Sequence, residues 1–198
     1  MKKTFILVFM LLFSGALMAQ PIFNLGLKAG LNNSKITFRA SEYTSESVTK
    51  AHFGAFARLG FGMLYVQPEA YYSAKGGRVI DPRASAVERV TRFDFNNIDV
   101  PFLFGVRILN GQMANLRAMA GPVFSFMTSN KVEPEDLLDS KFYKDHYYGF
   151  QYGVGVDFRN LFLDARMEHG TSKLYQQPLE GIDGRNQTFM ITFGFKIL

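Results

Sequence analysis

GFQYGVGVDFRNLFLDARMEHG, Gly149 to Gly170, is the stretch on which the fold turns. Every second residue from Tyr148 to Phe158 forms one row, Tyr148, Phe150, Tyr152, Val154, Val156 and Phe158. The row between them is Gly149, Gln151, Gly153, Gly155, Asp157 and Arg159. After Arg159 and Asn160 the alternation resumes, with Leu161, Leu163, Ala165 and Met167 on one side and Asp164, Arg166 and Glu168 on the other. A period of two is the strand period, so the segment reads as a hairpin with two unlike faces.

The same rhythm recurs along the chain. It predicts eight strands, roughly 22–31, 52–61, 63–74, 95–108, 114–127, 147–158, 161–171 and 187–197. Ten strands would need an extra hairpin within 32–51 or 75–94. Short connections fall near Phe61-Gly62, at Asn110-Gly111 and at Arg159-Asn160, and long polar ones over 32–51, 75–94, 128–146 and 172–186. Asn-Gly is the strongest hairpin signal of the three, because a two-residue turn of the right twist needs positive φ at both central positions. A short surface helix is expected near Pro134 in the third long loop. Short and long connections alternate strictly, which sorts all the tight turns to one end of the sheet. A soluble sandwich has no reason to sort its loops in this way, whereas a barrel threaded through an outer membrane does.

The polar face decides which side is inside. In a soluble ligand-binding barrel it would face water and be crowded with Lys, Glu and Thr. Here it carries Gly26, Gly30, Gly54, Gly60, Gly105, Gly121, Gly149, Gly153, Gly155 and Gly194. Charges of both signs lie between them: Lys28, Arg58, Glu69, Asp99, Arg107, Arg117, Asp157, Asp164, Arg166, Glu168 and Lys196. Small residues beside long, mutually compensating ones suit the narrow interior of an eight-stranded barrel. The opposite face offers Phe23, Leu25, Leu27, Leu31, Phe53, Leu59, Phe102, Phe104, Phe124, Phe126, Phe189, Ile191, Phe193, Phe195 and Ile197 to lipid. About ten residues per strand at ~3.3 Å, tilted ~40°, span roughly 25 Å, the height of such an apolar band. Turning Asp164, Arg166 and Glu168 into hydrocarbon would cost on the order of 5 kcal/mol or more, since one Arg at mid-depth costs ~2 to 4. Tyr71, Tyr72, Tyr147 and Tyr148 lie near strand ends, where hydroxyls would reach headgroups. The first and last strands must pair, because an open edge in lipid leaves backbone donors unsatisfied.

Composition agrees. The 198 residues suffice for one domain. Although 47% are hydrophobic, with 21 Phe and no Trp, no run after the first twenty residues is long enough for a membrane helix. The start, MKKTFILVFMLLFSGALMAQ, reads as a signal peptide with a cut expected after Ala19, which leaves 20–198 as the barrel domain. Losing Lys2 and Lys3 lowers the formal charge from +5 to +3, and no basic run with stacking aromatics argues for nucleic acid. With no cysteine, disulfides and a lipidated Cys are excluded.

The segments NLGLKAGLNNS (24–34), HFGAFARLGFGMLYVQPEAYYSAKGG (52–77), NNIDVPFLFGVR (96–107) and AGPVFSF (120–126), followed by YGVGVDF and LFLDARMEHG, also carry a resemblance. In order and spacing the chain resembles the PorT-like outer-membrane β-barrel proteins common in Bacteroidota, over essentially all of 20–198. The resemblance implies an outer-membrane location, no activity assigned for most members, and an association with protein export for a minority. Glu69, Pro101, Gly121-Pro122 and Arg166 stand at its recurrent positions, which read as architectural. Two departures are Leu198, where many such barrels end in an aromatic, and His169, where an aromatic or aliphatic residue is expected.

Candidate chemistry is thin. The inward charges Arg58, Glu69, Asp99, Arg107, Arg117, Asp164, Arg166, Glu168 and Lys196 would line an ion path or, as expected for a narrow barrel, pair across a packed lumen as a structural network. Asp164 and Glu168 resemble an acid and base pair, but Arg166 between them favours permanent ionisation. His169, with Thr171, Ser172 and Glu180 following, sits at the loop end of a strand, where a lipid-modifying nucleophile and base would meet acyl chains. His52 and His146, at or near strand starts, have no metal-ligand spacing. Gly153-Val154-Gly155 is half of a dinucleotide fingerprint with no helix after it. The expected protein is therefore a closed antiparallel transmembrane β-barrel of a Gram-negative outer membrane, with short periplasmic turns and long extracellular loops. It would be a monomer without cofactor, metal or catalytic residues, in contact with outer-membrane lipid and open to a protein partner through loops or turns. A narrow ion or solute channel is the alternative, and a lipid-modifying enzyme the third reading.

Overall fold

The computed structural model describes residues 22–37, 44–81, 89–111, 113–133, 146–171 and 185–198. The expected leader (1–19), the helix near Pro134, and Ser172 and Glu180 lie outside these residues. Eight antiparallel strands close into a barrel in chain order. They are β1 (Ile22–Thr37), β2 (Thr44–Phe61), β3 (Leu64–Asp81), β4 (Arg89–Asn110), β5 (Ala114–Glu133), β6 (His146–Phe158), β7 (Leu161–Gly170) and β8 (Arg185–Lys196). Closure runs from Gly26 opposite Lys196 to Thr37 opposite Arg185 between β1 and β8. No sheet edge remains, as the absence of water in a bilayer core requires.

The inward and outward rows alternate as the sequence requires. On β7, Leu163 is 53% exposed and its neighbour Asp164 0%. The tight turns share one end. Gly62 (φ 59°) and Arg159 (φ 51°) supply the left-handed backbone that two of the hairpins need. The Asn110-Gly111 turn differs from expectation: Asn110 still pairs with Asn115 in the ladder, and the chain reverses after it, with Gly111 N–H donating to the Ala114 carbonyl at 3.1 Å. The last strand ends against the same rim, where Lys196 N–H donates to the Asn160 carbonyl at 2.6 Å.

Strands β1 to β5 are longer than the hydropathy pattern predicts, while β6 to β8 keep within two residues of their expected bounds. β4 has 22 residues and β7 has 10. At ~3.3 Å per residue and ~40° tilt, β4 rises about 55 Å, roughly twice the apolar band. Residues 32–37, 44–50, 75–81, 89–94 and 128–133, expected in loops, extend the barrel wall instead. The outer surface marks where lipid gives way to water: above Leu31, Phe53 and Phe126 the exposed outward residues become Asn33, Thr49 and Thr128. Asn33 Nδ2 donates to Thr49 Oγ1 there at 3.1 Å.

Two tyrosines and one histidine depart from their expected positions. Adjacent residues in a strand face opposite ways, so only one of each tyrosine pair can meet lipid. Tyr72 and Tyr148 do, packing on Phe53 and Phe124. Tyr71 and Tyr147 point inward and are buried. His52 is not at a strand start; it lies well inside β2 and is buried in the lumen. Its ring lies between Asn32 Oδ1 (2.6 Å) and Thr192 Oγ1 (3.0 Å).

Candidate functional site

The inward rows of β3 and β7 build the centre. Gln67, Glu69, Tyr71, Ser73 and Lys75 share one face of β3, and Phe162, Asp164, Arg166 and Glu168 one face of β7. Arg166 spans the lumen to Glu69 in a two-pronged pair, Nη1 to Oε2 at 2.9 Å and Nη2 to Oε1 at 2.8 Å. The planar guanidinium matches the carboxylate fork, a geometry lysine cannot offer. Glu69 also accepts from Lys28 and, at 2.5 Å, from Gln67 Nε2. Arg166 Nη2 holds Asp164 at 2.6 Å, and Asp164 accepts from Arg117. Arg117 and Arg58 converge on Asp157 at 3.1 and 3.0 Å, and Lys196 approaches it at 3.4 Å.

A second cluster lies toward the loop end. Lys75 Nζ sits 2.5 Å from Glu168 and 2.8 Å from Asp99, and Ser125 Oγ donates to Asp99 at 2.5 Å. Gln151 joins the two clusters, its Nε2 lying 2.6 Å from Tyr71 Oη and 2.8 Å from Glu168 Oε2. Lys28 Nζ rests 3.6 Å over the Tyr71 ring. Nearly every charge here is fully dehydrated, so each depends on its partners; losing one is costly even though a pair as a whole adds little stability.

The filling is not purely ionic, contrary to the sequence reading. Phe56, Tyr65, Leu103, Met119, Val123, Phe162 and Met190 are also buried inside. Phe162 meets Phe56 edge-on at 5.0 Å, and Arg117 lies 5.0 Å over its ring. Glycines make the room: a Cβ on Gly155 would sit 2.9 Å from Arg117 Cζ, and one on Gly153 2.9 Å from Arg166 Cγ.

Of the charges singled out from sequence, Arg58, Glu69, Asp99, Arg117, Asp164, Arg166 and Glu168 are buried in these clusters, and Lys196 sits at their turn-end margin. Arg107 is held apart, its Nη2 donating to the Gly62 carbonyl at 2.7 Å. Sequence reasoning missed Lys75 as a lumen charge because it assigned 75–94 to a loop. Its parity with Glu69 on β3 was the available signal. Among the described side chains, the buried cations Lys28, Arg58, Lys75, Arg117 and Arg166 face the buried carboxylates Glu69, Asp99, Asp157, Asp164 and Glu168, Arg107 and Lys196 add positive charge at the turn end, and Lys50 pairs with Asp94 toward the loops. At the turn end the filling stops short, leaving a cavity of roughly 200 Å³ lined by Asn24, Arg58, Gly60, Tyr65, Arg107, Asn115, Asp157 and Lys196.

Those catalytic candidates that lie among the described residues have other partners. His169 stacks on Tyr152 at 5.6 Å, with its Nε2 3.1 Å from the Tyr152 hydroxyl. Thr171 Oγ1 donates to the Tyr148 carbonyl at 3.0 Å. Asp164 and Glu168 lie in different clusters, each against a cation. His146, at the start of β6, meets the Tyr148 ring at 6.0 Å. Among the described residues, no group of three or more His, Cys, Asp or Glu could hold a metal ion.

Residues 18–176 match the family described as outer membrane protein beta-barrel domain. Among solved structures, the outer membrane protein OprG from Pseudomonas aeruginosa is similar at 11% identity and a TM-score of 0.51, over 89% of this chain and 95% of that one. Neisserial surface protein A gives 13% identity and a TM-score of 0.49, over 87% and 97%. Ail, the attachment invasion locus protein of Yersinia pestis, gives 14% and 0.45, over 88% and 98%. No curated protein matches the chain. OprG supports the fold alone. The closed eight-stranded wall, its lipid-facing apolar rows and the match over most of its length show that the chain belongs to the outer membrane protein beta-barrel domain family and resides in the outer membrane of a Gram-negative bacterium.

Proposed function

We propose that this barrel is a non-catalytic scaffold of the outer membrane that works through its surfaces, as an anchor, a loop-mediated binder or a support for an export machinery. The observation that carries the reading is the occupied mid-lumen: Glu69, Arg117, Asp164, Arg166, Lys75 and Glu168 are almost wholly buried and pair with one another where a solute would have to pass. A small lumen filled in this way has a stiffening role. The motif order from 24–34 to 161–170 supports a place among the PorT-like proteins of Bacteroidota, with residues 1–19 removed on export.

Planar-bilayer recordings on the refolded protein test the reading, with no stepwise conductance expected. A steady open level would favour the channel alternative, for which the turn-end cavity would be the entrance. Surface proteomics of a deletion strain is expected to show loss or mislocalisation of other exported proteins. Lipid A from a His169→Ala strain should be unchanged; an altered acylation pattern would reinstate an enzymatic role.

A further inference from the structure

We propose that the turn-end cavity is a binding site for a single phosphate-type oxyanion, entered from the periplasm. Three observations meet there. Arg58 is 5% exposed, with Nε donating to Gln67 at 2.6 Å and Nη1 to Asp157, yet Nη2 is buried with no partner among the described residues. A guanidinium that spends two of its three nitrogens on a fixed frame presents the third in a set direction, and a buried donor left unmatched costs free energy until something accepts from it. The second observation is charge. Arg58, Arg107 and Lys196 line the cavity against Asp157 alone, so this end carries a local excess of positive charge. A phosphate-type anion seated there would offset that local excess.

The third observation is freedom of reach. Among the described residues Lys196 Nζ makes long contacts, 3.4 Å to Asp157 and 3.3 Å to the Arg159 carbonyl, so it can turn toward a guest at small cost. Arg107 commits one nitrogen to the Gly62 carbonyl. Asn24 and Asn115 complete the wall with carboxamides, and Asn115 Oδ1 is likewise buried without a partner, so the amide can serve a phosphate oxygen or its hydroxyl. A space of roughly 200 Å³ fits one phosphate with its water but not a folded chain. The shared chemistry is the phosphate group, whether free in the periplasm or carried by an inner-leaflet headgroup.

The test is amide NMR of the mature barrel in maltoside micelles, which carry no phosphate, titrated with inorganic phosphate. Saturable shifts at Asn24, Asn115 and Lys196 are expected. They should weaken at least tenfold in an Arg107→Gln/Lys196→Gln variant and disappear in Asn115→Asp, which places a negative charge in the wall while removing no cation. A second arm compares the phosphate-free micelles with the same micelles doped with phosphatidylglycerol, without added phosphate; the same shifts in the doped micelles alone identify a headgroup as the source. Absence of saturable shifts in both arms, or unchanged affinity in Asn115→Asp, overturns the proposal.

Discussion

Glu69 and Arg166 form one ion pair, but removing either should have very different consequences. The cluster around them holds Lys28, Arg58, Arg117, Arg166 and Lys196 against Glu69, Asp157 and Asp164. Glu69→Gln takes away the only carboxylate that Lys28 meets among the described residues and half of the anionic grip on Arg166, while both cations stay dehydrated. Stranding a buried charge costs about 3 to 5 kcal/mol. Arg166→Met instead leaves Glu69 with Lys28 and Asp164 with Arg117, and it relieves the cation excess. Only the lost charge-assisted bonds remain to be counted, and the expected loss is about 1 to 2 kcal/mol. Because the chain has no Trp, unfolding by urea in neutral phospholipid vesicles is best followed by heat-modifiable gel mobility and far-ultraviolet circular dichroism. With a slope of about 2 kcal/mol/M, the two midpoints should differ by roughly 1 M, Glu69→Gln being lower. An Arg166→Met barrel as weak as Glu69→Gln, or weaker, would refute the charge-balance reasoning.

Three further outcomes are expected. Gly194→Ala presses a methyl toward the Phe162 ring, whose Cε2 would be 2.8 Å away, and should cost about 1 to 3 kcal/mol in the same urea assay; pairing it with Phe162→Leu should recover at least half of that loss. In the tight turns the signs oppose: Gly62→Ala should destabilise by about 1 kcal/mol, while Arg159→Gly should stabilise by a similar amount, since both positions hold positive φ. Single cysteines from Leu161 to Met167 should alternate, with 161, 163, 165 and 167 reacting with a lipid-soluble maleimide and 162, 164 and 166 protected from both lipid-soluble and water-soluble reagents in the closed wall; uniform labelling would contradict the register.

The wall was readable wherever its two faces differ in hydropathy. β6 and β7 alternate aromatic or aliphatic residues with glycine and charge, and their register follows from that contrast. The upper part of β1 was not readable because both faces are polar there: Asn32 and Ser34 point inward, Asn33 and Lys35 outward, and a period of two leaves no hydropathy signal. The same blindness hid Lys75. Tyr71 and Tyr147 misled for another reason, since a residue suited to an interface is equally suited to a buried hydrogen bond, and only strand parity separates the two. The apolar part of the filling escaped because Phe56 and Phe162 look like lipid-facing residues until they are counted on the same rows as Arg58 and Asp164.

The interlocking of side chains from distant strands constrains how this wall can be made. Arg166 and Glu69 come from β7 and β3, Arg58 and Asp157 from β2 and β6, and Lys75 and Glu168 from β3 and β7. A lone hairpin entering the bilayer would carry ions most of whose partners lie on other strands, at several kcal/mol for each one left bare. Stepwise threading is therefore disfavoured. Insertion has to be concerted: the curling sheet must bring its opposite flanks together in a sheltered, hydrated groove and release the finished cylinder into hydrocarbon only after the last seam has zipped.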